Sequence, residues 1–314
     1  MIKNKFDNET DDLIKRFNDK SKPFDMEIER ILSVLKYQGE RHSGELGIEI
    51  ETEREREYEY PKSKFWRCTR DGSLRKFGVE YVLKSPVNLE EATLALQEFK
   101  KFDEKYSFDK NSISTSVHVH VNMLNDTFVT MANFMTIYAL MEPLLIRYSG
   151  PDRLSNLFCL PFRDAEGTIP HYVQMLSYIS RNAFIRMKLS EDTVKYSALN
   201  CAPLTKIGTL EIRSFRGETD IDVIHKWLCI VMKMKEFCRQ EKMTPIVILD
   251  MWKEKGLGII NEVFGEYTKE LKGKMSDKDI EKLIKEKNQF YAARFATACR
   301  DWSKFGVIKI KPVS

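Results

Sequence analysis

The sequence predicts an α+β protein in which an antiparallel-rich sheet is packed by helices and is followed by a helical C-terminal third. Several short segments between residues 44 and 216 alternate apolar and polar residues with the period of two that half-buried antiparallel strands show. Longer stretches between them repeat apolar residues at helical spacing. Beyond Asp220 the pattern is helical almost to the end. Strands followed by a run of helices are typical of the α+β class.

The individual elements follow from changes in this period along the chain. Helical spacing of apolar residues predicts an amphipathic helix at 23–42, and the period then changes to two. Asp71-Gly72 is a strong turn signal that separates two short strands. In chain order the patterns predict a helix at 23–42, strands at 44–53, 65–69 and 78–84, a helix at 88–106, a strand at 113–123, helices at 127–149 and 169–187, and strands at 194–204 and 207–216.

Composition narrows the class of protein. Of 314 residues, 42% are hydrophobic and 31% are charged, which is typical of a soluble globular protein. The net charge of +4 is too small to predict nucleic-acid binding, and six cysteines without a Cys-x-x-Cys pair argue against a zinc ribbon or a disulfide framework. No stretch is long and apolar enough to predict a membrane span or a secretory signal, so we expect a cytoplasmic protein.

The predicted strands share an unusual distribution of polar residues. In the first strand Ile48 and Ile50 point to one face, whereas Glu49 and Glu51 point to the other. The strand at 117–121 places three valines opposite two histidines. The same inversion occurs in two more strands, and the complete set of ligand-type side chains is Glu49, Glu51, Glu80, His118, His120 and Glu211, with Arg213 beside the last. Each strand thus has an apolar face for helices and a face that bears carboxylates, imidazoles or a guanidinium.

Such a face predicts a divalent-metal site if the strands are neighbours. Carboxylates and imidazoles on adjacent strands can converge, and mainly oxygen ligation suits Mg²⁺ or Mn²⁺ better than structural zinc. The alternative is an ordinary solvated face, because antiparallel sheets commonly leave one side wet. Solvated faces usually carry Lys, Thr and Ser rather than acids and histidines, and four segments show the same inversion. The sequence therefore favours a shared site.

At these residues the chain resembles the amidoligase family of glutamine-synthetase-like carboxylate–amine ligases. The resemblance covers roughly residues 44–225 and consists of short motifs in the family's order. These motifs are Gly47-Ile48-Glu49-Ile50-Glu51, Asp71-Gly72-Ser73-Leu74, Gly78-Val79-Glu80, His118-Val119-His120, Arg153 with Asn156, Tyr196-Ser197-Ala198-Leu199-Asn200, and Gly208-Thr209-Leu210-Glu211-Ile212-Arg213-Ser214-Phe215-Arg216.

The resemblance implies a glutamine-synthetase-type catalytic core at 44–220, between a polar lead with a helix at 1–43 and a helical region at 221–314. It implies an ATP- and Mg²⁺- or Mn²⁺-dependent ligase that phosphorylates a carboxylate to an acyl phosphate, which an amine, amino acid or peptide then attacks. Metal binding near the carboxylate substrate is implied for Glu51 and Glu80, and metal binding near ATP for Glu49, His118 and Glu211. Nucleotide contacts are implied for His120, Asn200 and Arg213. Catalytic roles are implied for Arg213, Arg216, Arg153 and Asp71, with Arg153 in contact with the carboxylate substrate or the acyl phosphate.

Several alternatives stay open at the level of sequence. Asp71 either reaches the metal site or only shapes its turn, and Ser73 is better explained as a turn-capping hydroxyl than as a nucleophile. A catalytically degenerate family member with a structural or binding role would retain the fold without the reaction. A metal-dependent hydrolase would also use clustered acids and histidines. The substrates are undefined, and neither a homo-oligomer nor a larger assembly is decided by any residue pattern; no membrane or nucleic-acid partner is expected.

Overall fold

The computed structural model describes residues 43–110, 112–154, 156–177, 195–284 and 287–305. The helix predicted at 23–42 lies outside these residues. Within them the chain forms a six-stranded sheet with helices against one face. The strands are β1 (Leu46–Arg54), β2 (Trp66–Arg70), β3 (Phe77–Leu83), β4 (Ser116–Asn122), β5 (Leu199–Asn200) and β6 (Thr209–Arg216).

The sheet order is β2-β3-β1-β4-β6-β5, and every neighbouring pair is antiparallel. The predicted antiparallel sheet is therefore confirmed. This order places β1 at the centre, with β3 on one side and β4 on the other, although β3 and β4 are separated by a helix in sequence. The strands that bear the predicted ligand-type residues, β3, β1, β4 and β6, are consecutive neighbours.

The alternation in each strand sorts its side chains between two environments. Ile48 and Ile50 of β1, and Val117 and Val119 of β4, are essentially inaccessible to solvent and belong to the hydrophobic core. Helices cover this apolar face, because burial of branched side chains is the main gain in free energy available to the sheet. The opposite face is left to the polar residues.

The helices predicted at 88–106 and 127–149 are observed with nearly the expected bounds. The helices of the described residues are α1 (Leu89–Tyr106), α2 (Phe128–Ser149), α3 (Ile169–Ser177), α4 (Leu204–Ile207), α5 (Ile221–Cys238), α6 (Pro245–Lys255), α7 (Gly258–Phe264), α8 (Thr268–Lys272), α9 (Asp277–Ile284) and α10 (Lys287–Phe305). The start of α1 illustrates the local cause, since Asn88 accepts a hydrogen bond from the Glu91 amide and the Glu91 carboxylate accepts one from the Asn88 amide.

The predicted strand at 194–204 is much shorter than expected. Within the described part of this segment, 195–204, only Leu199–Asn200 pairs with β6, and the chain then turns into the short helix α4. The predicted helix at 169–187 is observed as Ile169–Ser177, and its remainder lies outside the described residues. Pro203 precedes α4, and the residue before a proline favours extended backbone. Extended backbone does not by itself show whether the segment pairs with another strand. The sequence pattern therefore could not separate a paired strand from an extended connection.

Among the described residues one helix, α2, is long and apolar enough to cross a membrane, but 89% of its apolar window is buried inside the protein. This helix is the exception to the expectation that no stretch is sufficiently apolar. It packs against α10, α5 and β6, which explains why it is apolar on all sides. The composition of α2 is that of a central core helix.

A buried ion-pair network attaches α5 to the ends of β1 and β4. Lys235 is completely buried, and its ammonium group lies 3.0 Å from Asp126 and also contacts Glu45 and the Asn122 carbonyl. Arg239, one turn later, pairs with the same two carboxylates. Because a buried charge is tolerated only when it is paired, this network fixes where α5 sits on the sheet.

Strands β4 and β6 are joined with an irregularity. Val119 pairs with Ile212, but Val117 pairs with Phe215, so that two residues of β6 stand opposite His118 alone. This is a β-bulge at Arg213-Ser214. The extra residue shifts the alternation by one position, so Arg213 and Arg216 both belong to the polar face although they are three residues apart.

Candidate metal centre

The strand register brings the predicted ligand-type residues together on the polar face. Glu51 pairs with Glu80 of β3, and Glu49 pairs with His118 of β4. On the other side of β4, His120 pairs with Glu211 of β6. Directly opposed residues of antiparallel strands have neighbouring side chains. The six residues therefore form one continuous cluster across four strands.

Glu49 lies at the centre of this cluster. Its two carboxylate oxygens are each 3.1 Å from a histidine nitrogen, one in His118 and the other in His120. Burial by itself would raise the pKa of Glu49, but hydrogen bonds to the two histidines outweigh burial and hold the pKa well below its ordinary value. The same contacts raise the pKa of His120 against the opposing effect of burial. Glu49 is therefore ionised and ready to act as a ligand.

Glu211 is held in place from three directions. The amide nitrogen of Asn200 donates to its Oε2 at 2.7 Å, and the Arg213 guanidinium donates to its Oε1. The Nδ1 atom of His118 lies 3.4 Å from the same Oε1. The site residues predicted for metal and nucleotide thus meet at one carboxylate that is 3% exposed.

Two polar residues that were not predicted complete the cluster. Ser116 donates to Glu51 at 2.6 Å and lies 2.7 Å from His118 Nε2, so it links a carboxylate to an imidazole. Thr209 lies 3.0 Å from His120 Nδ1. Each stands two residues from a predicted ligand on the same strand, and this spacing was the available signal. Such outer contacts orient imidazoles and carboxylates for metal binding.

Among the residues that the structure describes, three overlapping groups of side chains could each hold a metal ion, since the ligand atoms within each group lie within 4.8 Å of one another. The groups are Glu49 with His120 and Glu211, Glu49 with Glu80 and His118, and Glu51 with Asp71 and Glu80. Glu49 and Glu80 are each shared by two groups. The donors are mostly carboxylate oxygens, which fit Mg²⁺ or Mn²⁺.

The neighbouring negative charges affect the pKa of Glu80. Burial is the main cause that raises its pKa to about 7, and the neighbouring carboxylates of Glu49 and Glu51 add to the effect. The Thr69 hydroxyl donates a long hydrogen bond of 3.4 Å to it. A cation placed between these carboxylates would remove the repulsion.

Asp71 both shapes its turn and lies at the candidate metal site, which the sequence left as alternatives. Its Oδ1 accepts hydrogen bonds from the Ser73 amide at 2.8 Å and from the Ser73 hydroxyl at 2.7 Å, which shapes the turn between β2 and β3. Asp71 also belongs to the ligand group with Glu51 and Glu80. The turn therefore delivers a third carboxylate to the edge of the cluster.

The three predicted arginines have different surroundings. Arg213 donates to Glu211 and, through Nε, to the Phe158 carbonyl at 3.3 Å. Arg216 pairs with Glu218 at 2.8 Å and is half-exposed. Arg153 is 3% exposed and donates to two main-chain carbonyls of β6. Of the three, Arg213 is in contact with a predicted metal ligand.

Glu53 continues the series of β1 carboxylates and was missed as a site-shaping residue. It is buried and accepts hydrogen bonds from the hydroxyls of Ser112 at 2.7 Å and Ser114 at 2.9 Å, and from the Arg75 amide. These contacts join the connection after β2 to the segment before β4. The spacing of two residues from Glu51 placed it on the polar face, but its partners are distant in sequence.

Comparison with known proteins identifies the family. A family model described as "Putative amidoligase enzyme" matches residues 30–234, which is more than half of the chain. A search of curated proteins finds no match. The matched range contains every strand of the sheet and all the residues of the candidate metal centre. The predicted resemblance is thereby confirmed, and the chain belongs to the amidoligase family.

Proposed function

We propose that the protein is an ATP- and Mg²⁺-dependent ligase that joins a carboxylate to an amine through an acyl-phosphate intermediate. The observation that carries this proposal is the juxtaposition of overlapping metal-ligand groups with the Arg213 guanidinium, which donates to Glu211. Family membership supports the ligase class. Phosphoryl transfer depends on positioning and on neutralising oxygen charge, so it requires metal ligands and guanidinium groups rather than a protein nucleophile.

The side chains suggest how two ions would be shared. Glu49, Glu211 and a histidine would hold one Mg²⁺, and Glu51 with Glu80 would hold another. When bound, the ions would supply charge neutralisation at phosphate and carboxylate oxygens. His120, placed by the family resemblance toward the nucleotide, shares a ligand group with Glu49 and Glu211, so we propose it as a metal ligand as well.

The arginines would act on charge that develops during transfer. Arg213 is anchored by Glu211 on one side and by the Phe158 carbonyl on the other, so its guanidinium plane is oriented before a substrate arrives. Preorganised donors stabilise a transition state without reorganisation at the moment of reaction. Arg216 lies on the same face, where exchange of its partner Glu218 for a phosphate oxygen would bring it into the reaction.

We extend the proposal to the architecture and setting of the enzyme. The sheet would be of the glutamine-synthetase catalytic type, with a core at 44–220 flanked by the regions 1–43 and 221–314. The enzyme would act in the cytoplasm on a carboxylate and an amine, amino acid or peptide, alone, as a homo-oligomer or within a larger assembly. Neither a membrane nor a nucleic acid takes part.

The test is release of ADP and phosphate. Purified protein is incubated with ATP, Mg²⁺ and a mixture of carboxylic acids, amino acids and peptides, and we expect ADP release that depends on the added acid. Glu51→Gln and Glu211→Gln should reduce turnover by at least about 100-fold because each removes a metal-ligand charge. Their melting temperatures should stay close to that of the wild type. Glu104→Gln, at an exposed position on α1, is the matched control and should retain full activity.

The other outcomes distinguish the competing functions. Hydrolysis of an ester or amide without ATP would replace the ligase with a metal-dependent hydrolase. Failure to bind both nucleotide and Mn²⁺ would indicate a degenerate family member with a structural or binding role. A large loss of stability in both Gln variants would show that these carboxylates are structural.

A further inference from the structure

The β-bulge in β6 decides where two arginines of the site point. In a regular strand, residues three apart lie on opposite faces. Arg213 and Arg216 both reach the polar face only because Arg213 and Ser214 together oppose His118. Removal of the bulge would turn either Arg213 or Arg216 toward the apolar layer. The arrangement of the two guanidinium groups therefore depends on a local irregularity that needs its own stabilisation.

Arg153 makes its hydrogen bonds at this bulge. Its Nη2 atom donates to the Arg213 carbonyl at 2.9 Å, and its Nε atom donates to the Ser214 carbonyl at 3.2 Å. These are the carbonyls of the two bulged residues. A planar guanidinium with donors in a fixed fork can bridge two successive carbonyls that a regular ladder would direct to opposite sides. Arg153 therefore binds the main chain of the bulge directly.

The chain is built to deliver Arg153 to this position. After α2 ends, Gly150 adopts φ +128°, and a Cβ atom there would lie 3.2 Å from the Arg216 side chain. The following turn, Pro151–Arg153, places the Arg153 guanidinium against the main chain of β6. The main-chain carbonyl of Arg153 accepts a hydrogen bond of 3.8 Å from the Cys159 thiol. Within the described part of the chain, no carboxylate forms a salt bridge with Arg153. Its buried charge is compensated by the two carbonyl dipoles and by electrostatic attraction to the Glu51 carboxylate.

We propose that Arg153 is a positioning residue that locks the Arg213-Ser214 bulge and thereby holds Arg213 and Arg216 on the reactive face of the sheet. This role rests on the proposed function for its catalytic consequence, but the structural lock itself does not. It differs from direct contact with a carboxylate substrate or acyl phosphate, which the family resemblance suggests for Arg153. The two roles predict different coupling between Arg153 and Arg213.

A double-mutant cycle separates these roles. We compare kcat/KM for Mg·ATP in Arg153→Met, Arg213→Met and the double variant. If Arg153 acts by positioning Arg213 and Arg216, Arg153→Met should lower kcat/KM by at least about 10-fold, and the double variant should lose less than the product of the two single losses, because the part of the effect that passes through Arg213 is already absent in Arg213→Met. A double variant whose loss is the product of the two single losses would overturn the proposal, because Arg153 would then act independently on the substrate.

Hydrogen exchange tests the lock without any need for activity. In Arg153→Met, amides of the peptide covering β6 should exchange at least about 10-fold faster than in the wild type, whereas those of β3 should not change. Arg163→Met is the matched control, because Arg163 also donates to a main-chain carbonyl, that of Leu154 at 3.1 Å, but lies outside the bulge. Unchanged exchange in β6 would refute the lock even if the protein proved to have no ligase activity.

A conservative variant guards against trivial unfolding. Arg153→Lys keeps the buried charge and much of the side-chain volume, but its ammonium group cannot form the same planar fork. We expect Arg153→Lys to fold with nearly wild-type Mn²⁺ affinity, because the metal-ligand groups do not include Arg153. Its kcat/KM should nevertheless stay at least about 5-fold below that of the wild type. Full activity in Arg153→Lys would contradict the proposal, because charge alone would then suffice.

Discussion

Glu142, on α2, provides a quantitative test of how burial of a carboxyl group changes the pH dependence of stability. Its side chain is 1% exposed, and its Oε2 accepts hydrogen bonds from the Phe162 amide at 2.9 Å and from Asn288 at 3.4 Å. Its Oε1 has no partner within the described residues. Burial raises the pKa of Glu142 to about 8, against the lowering effect of these hydrogen bonds. Glu142 is therefore mainly protonated at neutral pH.

The sign and size of the effect follow from this pKa. The ordinary value is 4.5, so the folded protein binds one more proton than the unfolded chain between pH 4.5 and about 8. The contribution to the free energy of unfolding is greatest at and below pH 4.5, falls as the pH rises, and levels off above pH 8. At about 1.4 kcal/mol per pH unit, the loss between pH 5 and pH 8 is about 4 kcal/mol.

Glu142→Gln removes this dependence, because the amide is neutral at every pH and keeps one oxygen acceptor. We expect the variant and the wild type to have similar free energies of unfolding at pH 5, and the variant to be more stable by about 4 kcal/mol at pH 8, which is the loss that the wild type undergoes over this range. Guanidinium unfolding at pH 5, 6, 7 and 8 measures the difference, with Glu104→Gln as an exposed control. A difference that stays constant over this range would refute the reasoning, since no proton would then be linked to Glu142.

Three further predictions concern the metal centre and its support. Glu49→Gln should weaken Mn²⁺ binding by at least about 100-fold in calorimetry, because Glu49 belongs to two ligand groups; unchanged affinity would exclude it as a ligand. Ser116→Ala should weaken Mn²⁺ binding by about 10-fold through loss of its bond to Glu51, with no more than a small change in melting temperature. Lys235→Met should lower the free energy of unfolding by about 3 kcal/mol, because Asp126 loses a buried partner, and a stability equal to that of the wild type in urea unfolding would contradict this.

The candidate site could be predicted well from sequence where a single strand contains the signal. The order of residues within β1 and β4 determines that Glu49 and Glu51 share a face, and that His118 and His120 share a face, because side-chain alternation in a strand is local. The positions of α1 and of the turn at Asp71 were accessible for the same reason. Local periodicity and capping require no knowledge of distant partners.

Contacts between distant elements could not be predicted from local sequence patterns. Nothing in the sequence of β4 states that His120 stands opposite Glu211, since register depends on how two distant segments pack. The roles of Ser116 and Glu53 depend on the same register, because Ser116 bonds to Glu51 and Glu53 bonds to Ser112, and both of these partners are more than fifty residues away. The short β5 shows the opposite error, in which extended backbone was predicted to pair over more residues than it does.

The sequence by itself therefore determined the sheet class, the polar face and the identity of the ligand-type side chains, because hydrophobic burial sorts alternating residues regardless of their eventual neighbours. Only the tertiary structure decided the order β2-β3-β1-β4-β6-β5, the sharing of Glu49 between two ligand groups, and the bulge that turns Arg213 and Arg216 to one side. These features arise from the pairing of strands that are remote in the chain, and the free energy of that pairing is a property of the packed protein rather than of any one segment.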